Sequence, residues 1–238
     1  MFEKLKEEVY RANMMLKEHN LVVLTWGNVS GIDETREHVA IKPSGVEYDR
    51  LKPEDIVVVN MKGETVEGTL NPSVDTHTHL ELYKEYKEIW GICHTHSLYA
   101  TSFAQAYATP PLQALGTTHA DYFDGAIPIT RAMTKKEIIG EDYEKNTGLV
   151  IIEALKQAKK NPSEMPAVLV KSHGPFTFGK NAKEAVEHSI ILETAAHMAF
   201  NAKIITNVTY VKYEMPKALL RKHFDRKHGD KAKYGQHT

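Results

Sequence analysis

The chain is poor in the features that tie a protein to a membrane, a nucleic acid or an oxidising compartment. It has one cysteine, Cys93, in 238 residues. No intrachain disulfide can form, and a lone thiol suits a reducing compartment. Long apolar runs are missing, and the opening MFEKLKEEVYRANMMLKEHNL is too charged for a secretory leader. A cytoplasmic protein with no membrane segment is expected. Neither sign of charge is in excess: 30 Lys and Arg face 31 Asp and Glu, for a formal net charge of −1. That balance gives no general attraction to nucleic acid. The stretch from Pro216 to Tyr234 is locally basic, but no groove-reading motif or stacking aromatics accompany it. Internal repeats, low-complexity segments and linkers are also missing.

What remains is an ordinary globular composition, 42% hydrophobic and 26% charged, on a chain long enough to bury a real core. Phe2, Leu5, Val9, Ala12 and Leu16 recur at helical spacing and predict a helix over 2–18. LVVLTW, HVAIK and IVVVN are β-rich and predict strands, with the turn-rich PSGVEYDRLKPED between the last two and a tight turn at MKGE. THTHLELYKEYKE predicts a helix that buries Leu80 and Tyr83. WGICHTH predicts a strand, followed by a helix capped near Ser97. Helices are expected over 144–159, 181–201 and from Pro216. AVLVKSH and FTFG predict a hairpin. The alternation gives one α/β domain over residues 1–238, with a central mixed, mainly antiparallel β-sheet and helices on both faces.

Thirteen histidines are many for this length, and two pairs are spaced i, i+2: His77 with His79, and His94 with His96. On a strand such residues share a face, whereas on a helix they point about 200° apart. The first pair opens a predicted helix and diverges, so one ring is expected at the surface and the other in helix packing. The second pair ends a predicted strand and converges. His173, at the end of the apolar AVLVKSH, supplies a third ring. The alternative is that these are polar residues at strand ends, partnered by backbone. Three imidazoles with an open position fit a catalytic rather than a structural metal. They suit zinc, with manganese or cobalt as alternates.

TWGNVSGID, IKPSGVEYD, NPSVDTHTH, GICHTHS, GTTHADYF, VLVKSHGPFTFGKNA and RKHGDKAKYGQ, in that order, resemble the class II aldolase family of metal-dependent sugar-phosphate enzymes. GTTHADYF and the closing tail resemble its L-ribulose-5-phosphate 4-epimerase branch. The resemblance implies one divalent ion per subunit, usually zinc, on His94, His96 and His173. It implies a homotetramer with active sites between subunits, and a role there for the helix and tail of 216–238. The implied reaction breaks and remakes the bond between carbon-3 and carbon-4 of a ketose phosphate. Asp121 and Tyr234 are the implied proton shuttles, and His223 an implied substrate-positioning group. Asp75 stands where the aldolase branch carries glutamate, and it is expected beside the metal as an auxiliary ligand or an acid/base group. Gly27, Asn28, Lys42, Ser44, Gly45 and Ser73 match phosphate-binding positions. Val74 departs from the pattern, because related epimerases often carry a second serine there. The rival reading is an aldolase that releases its products, cleaving a ketose phosphate such as L-fuculose 1-phosphate.

Overall fold

The computed structural model describes residues 2–106, 112–206 and 215–229. Helix α1 (Glu3–Glu18) buries Val9, Ala12 and Leu16 of the predicted stripe, with Asn13 beside them and Leu5 half-buried. Strands β1 (Asn28–Ile32), β2 (His38–Ile41), β3 (Val57–Asn60) and β4 (Thr65–Glu67) follow, then α2 (Thr76–Glu85), β5 (Gly91–His94) and α3 (Leu98–Gln105). Short helices α4 (Thr117–Ala120) and α5 (Lys135–Ile139) precede α6 (Tyr143–Ala158). The hairpin β6 (Ala167–Leu169) and β7 (Pro175–Gly179) leads into α7 (Ala182–Ile205), and α8 (Lys217–His228) closes the described chain.

The strands form one sheet in the order β4-β3-β2-β1-β5-β7-β6. Every pairing between these strands is antiparallel. Parallel geometry is confined to an isolated bridge between Ile129 and Leu169 among the described residues, so the sheet has the mainly antiparallel character expected. Alternate residues serve opposite faces. Val39, Val57, Val59 and Ile92 pack with Leu80, Tyr83, Ile151 and Phe176 on one side. Val29, Ala40, Val58 and Cys93 pack with Val9, Leu16 and Val186 on the other. Strands buried on both faces read as near-continuous apolar runs, which is why IVVVN stands out in the sequence.

Two expectations about strands need correction. LVVLTW is not a strand. Val23 and Leu24 are 57% and 71% exposed, Leu24 has φ +54°, and Trp26 N–H closes a turn on Val23 O at 3.1 Å. The strand is the next stretch, NVSGI, because its register on β2 and β5 lets Val29 and Ile32 reach opposite cores. Side-chain propensity alone cannot see that register. His173 does not end a strand either; it lies beyond β6, in the turn that joins β6 to β7.

The register also explains three glycines. Gly31 faces Gly91, and Gly91 faces Gly179, across three neighbouring strands. A Cβ on Gly91 would overlap the backbone of Asn181, and one on Gly179 the backbone of Ala185. This glycine row lets the start of α7 lie against the sheet. Asn181 caps α7 by accepting from Glu184 N–H at 2.8 Å.

Candidate metal centre

His94 is the last residue of β5, in the middle of the sheet, opposite Asn28 on β1 and Phe176 on β7. Its ring stacks on Phe176, with centroids 4.2 Å apart and planes 15° from parallel. Its Nδ1–H donates to Pro175 O at 2.9 Å, which fixes the tautomer and leaves Nε2 as the lone-pair donor. His96 lies past the strand end, yet its Nε2 comes within 3.1 Å of His94 Nε2. The ring of His173 arrives from the β6–β7 turn, 4.7 Å from that of His94 and 5.0 Å from that of His96. The three donor atoms lie within 4.8 Å of one another.

The residues fit a metal. Buried His173 Nδ1 has no hydrogen-bond partner, a costly arrangement unless a ligand satisfies it. All three imidazoles titrate low. Burial pushes His94 and His96 down, each helped by a neighbouring imidazole, and burial with His94 nearby takes His173 to about 4. Neutral rings at neutral pH are the state in which histidine binds a metal. His77 and His79 behave as the helix geometry predicts: His77 is exposed, while His79 is buried with Nδ1 on Ser30 Oγ at 2.7 Å.

Asp75 is the N-cap residue of α2, although its side chain bonds elsewhere. Asn28 Nδ2 donates to Asp75 Oδ2 at 2.7 Å and to Ser73 Oγ at 3.1 Å. Burial alone would raise the Asp75 carboxyl; His94, His79, His173 and the Asn28 amide hold it below the ordinary carboxylate value. Gly27 has φ +76°, and a Cβ there would come within 2.9 Å of His94 O, so only glycine fits. Gly45, φ +70°, meets nothing within 4 Å of such a Cβ and presents open backbone.

Lys42 is 1% exposed. Its ammonium donates to carbonyls, Val46 O at 2.6 Å and Pro43 O at 3.4 Å, and sits 4.8 Å from the Tyr48 ring centroid. Burial lowers its pKa to about 8. No carboxylate neutralises it among the described residues, so the charge is available to an anion. Ser44 N–H on Asn71 O and Ser73 N–H on Lys42 O lace the two loops together.

One cavity of about 450 Å³ gathers these groups. Its walls are Gly27, Asn28, Lys42, Ser44, Gly45, Ser73, Val74 and Asp75, together with His94, His96 and His173. Val74 is 65% exposed and offers only an apolar surface. The sequence reading missed Thr25 and Trp26, which also line the cavity. The Trp26 ring lies 6.0 Å from that of His96. Trp26 stands inside the TWGNVSGID motif, so the signal was present without an assigned role. Also missed was Glu193 of α7, whose carboxylate accepts from Tyr99 N–H at 2.8 Å and Ala100 N–H at 2.9 Å. It caps α3 just beyond His96, where Ser97 makes no side-chain cap bond.

Asp121 and His223 do not line this cavity. They meet each other instead, His223 Nδ1 to Asp121 Oδ1 at 2.9 Å. Tyr234 lies outside the described residues.

An antiparallel sheet covered by helices, with one histidine at a central strand end and two from the loops beside it, makes an α/β architecture that could hold a metal, and comparison with known proteins makes it specific. The model of the Class II Aldolase and Adducin N-terminal domain family matches residues 7–200, and the chain belongs to that family. It is similar to an L-fuculose 1-phosphate aldolase, with 25% identity and TM-score 0.76 over 94% of this chain and 95% of that one. An L-fuculose-1-phosphate aldolase of Thermus thermophilus gives 24% identity and TM-score 0.67, covering 87% of this chain and 100% of the other. YgbL of Klebsiella pneumoniae, whose description leaves its reaction open among aldolase, epimerase and decarboxylase, gives 21% and 0.73 over 93% and 99%. The protein is an enzyme of the class II aldolase family, whose members use a divalent metal. No helix among the described residues is long and apolar enough to cross a membrane.

Proposed function

We propose that the protein interconverts L-ribulose 5-phosphate and D-xylulose 5-phosphate by cleaving and re-forming the bond between carbon-3 and carbon-4. The observation that carries the reading is the shared cavity: three neutral imidazoles and an unneutralised lysine among backbone and side-chain donors line the same walls. A sugar phosphate has the matching pair of ends, vicinal oxygens and a dianion. His94, His96 and His173 hold one divalent ion, zinc first, with manganese or cobalt as alternates. The bound ion supplies Lewis acidity to the ketose oxygens.

The protein's own residues do the rest. Lys42, Asn28, Ser44, Ser73, the backbone at Gly27 and the open backbone at Gly45 bind the phosphate. Asn28 also aims the Asp75 carboxylate into the cavity, as an auxiliary ligand or a proton carrier. Asp121 takes the proton from the carbon-4 hydroxyl on one face of the substrate, and Tyr234 serves the other face. Cleavage gives the enediolate of dihydroxyacetone and glycolaldehyde phosphate. The aldehyde turns, and re-addition to its other face gives the epimer. His223 positions the substrate. Because Asp121 and His223 stand outside the cavity of their own chain, they serve the site of a neighbouring subunit in a homotetramer, with 216–238 at the interface. Buried Cys93, its thiol pushed up to about 12 by burial, stays unreactive in a cytoplasmic setting.

A second reading is an aldolase that releases its products, favoured by the likeness to the L-fuculose 1-phosphate aldolase. Asp75 in place of glutamate, with the GTTHADYF and tail motifs, favours the epimerase. A coupled assay separates the two. Protein stripped of metal and restored with zinc or manganese is given L-ribulose 5-phosphate while D-xylulose 5-phosphate and free glycolaldehyde phosphate are followed. Metal-dependent epimer with little free aldehyde is the expected result. Aldehyde without epimer means the aldolase, and no turnover with any metal sinks the substrate assignment.

A further inference from the structure

Asp121 is the C-cap residue of the short helix α4. Its carboxylate is gripped by one neighbouring element, α8. His223 Nδ1–H donates to Oδ1 at 2.9 Å. The Arg226 guanidinium donates through Nε to Oδ1 at 3.2 Å, and through Nη2 to Oδ1 at 3.0 Å and Oδ2 at 2.9 Å. The next turn adds a backbone contact, His228 Nε2–H to Asp121 O at 2.9 Å. Phe224, the one buried side chain of α8, stacks on His228 at 4.7 Å and seats the helix.

The contacts are unequal. Oδ1 takes three donors and Oδ2 one. A planar guanidinium sets the rotation of a carboxylate in a way that a point charge cannot. We infer that Arg226 is a positioning residue for the Asp121 proton shuttle, fixing the carboxylate plane and leaving Oδ2 as the oxygen that exchanges the proton. The inference rests on the role given to Asp121 under the proposed function and adds a residue to it. Burial raises the Asp121 carboxyl, but Arg226 and His223 more than offset this and hold it below the ordinary value. The groups around it are consistent with that. His223, Arg226 and His228 face it from α8. His119 of α4 turns its Nε2–H away to Gly125 O, and the nearby Tyr122 carries Lys227 Nζ over its ring and lies 6.3 Å from the His188 ring of α7.

The test uses the full-length, metal-loaded protein with Arg226→Met, Arg226→Lys and Asp121→Asn. In Arg226→Met, kcat is expected to fall by about tenfold to a hundredfold, the scale of misplacing a catalytic group. KM should stay within about twofold. The acid limb of the kcat profile should move to higher pH, because the carboxylate has lost a cation. Arg226→Lys should restore the limb but not the full rate. A variant that only melts earlier, with its acid limb in place, overturns the inference. So does unchanged kcat in Arg226→Met when Asp121→Asn is inactive. If the unaltered protein does not epimerise, the proposed function fails, and the inference is judged by carboxyl ¹³C titration instead. The resonance lost in Asp121→Asn should titrate at higher pH in Arg226→Met, and an unmoved midpoint rules the positioning role out.

Discussion

The two chemical centres of this chain are built by opposite means. The histidine cavity sits on the central strands. Its first histidine, His94, is 1% exposed, its tautomer is set by a carbonyl, and its ring is stacked on a core phenylalanine. The Asp121 cluster sits on a four-residue helix and is held by the polar side chains of α8, a helix that buries only Phe224. Sheet register and packing make the first rigid, whereas charge-assisted hydrogen bonds orient the second. This division matches the two tasks proposed for them. A metal needs fixed, neutral donors, while a proton carrier needs a tuned charge and access to substrate.

Breaking the first centre should cost most. His94→Ala should take bound zinc, read by elemental analysis, from one ion per chain to near none, and should cut turnover on the order of 10³-fold, the scale of losing an electrostatic stabiliser. Full metal content in that variant would refute the ligand assignment. Next comes the scaffold beneath it. Gly91→Ala overlaps backbone rather than a yielding side chain, so it should destabilise by about 3 kcal/mol or more. For a chain of this size that lowers the thermal midpoint by roughly 6–12 °C, and an unchanged melting curve would count against the glycine row.

Smaller effects probe charge. Lys42 has a pKa of about 8 in the free protein, so its positive charge is present below that pH and lost above it. KM for a sugar phosphate should rise as pH passes about 8. Lys42→Met should raise KM at pH 7 by about tenfold, the scale of one charge-assisted hydrogen bond, and flatten the pH dependence. A KM that is flat with pH in the unaltered enzyme would remove Lys42 from the phosphate site. The mildest effect concerns the other region. His119, beneath Asp121, is lowered to about 4 by burial, against the opposing pull of its bond to Gly125 O. Its folded value lies below the ordinary 6.5, so the unfolded chain binds the proton first. Its contribution to stability is whole above about pH 6.5 and drains away as pH falls toward about 4. Urea midpoints measured across that window should fall less steeply in His119→Gln.

Much of this was legible in advance. Helix α1 follows from apolar spacing and α2, α6 and α7 from helix-prone stretches, while β2 and β3 follow from β-rich runs and β5 from a short apolar stretch bounded by Gly91 and Ser97. The choice of His94 and His96 over His77 and His79 follows from the geometry of strand and helix. LVVLTW misled because it has strand composition without strand partners. His96 converges on His94 although the strand has ended, so the right pair emerged from a strand slightly too long. Asp121 and His223 were named through motif resemblance, but Arg226 was passed over inside the RKHG stretch because nothing local marks its partner.

The sequence by itself determined the local periodicities, the balance of charge, the lone thiol and the close spacing of two imidazoles. These depend on residues within a few positions of one another. Tertiary structure alone decided that Pro175, 81 residues away, would set the His94 tautomer, and that His223, 102 residues away, would hold Asp121. The β5–β7 register makes the first contact and the packing of α8 on α4 makes the second. Neither is a property of a window of sequence, because each needs the whole sheet and its covering helices to be in place.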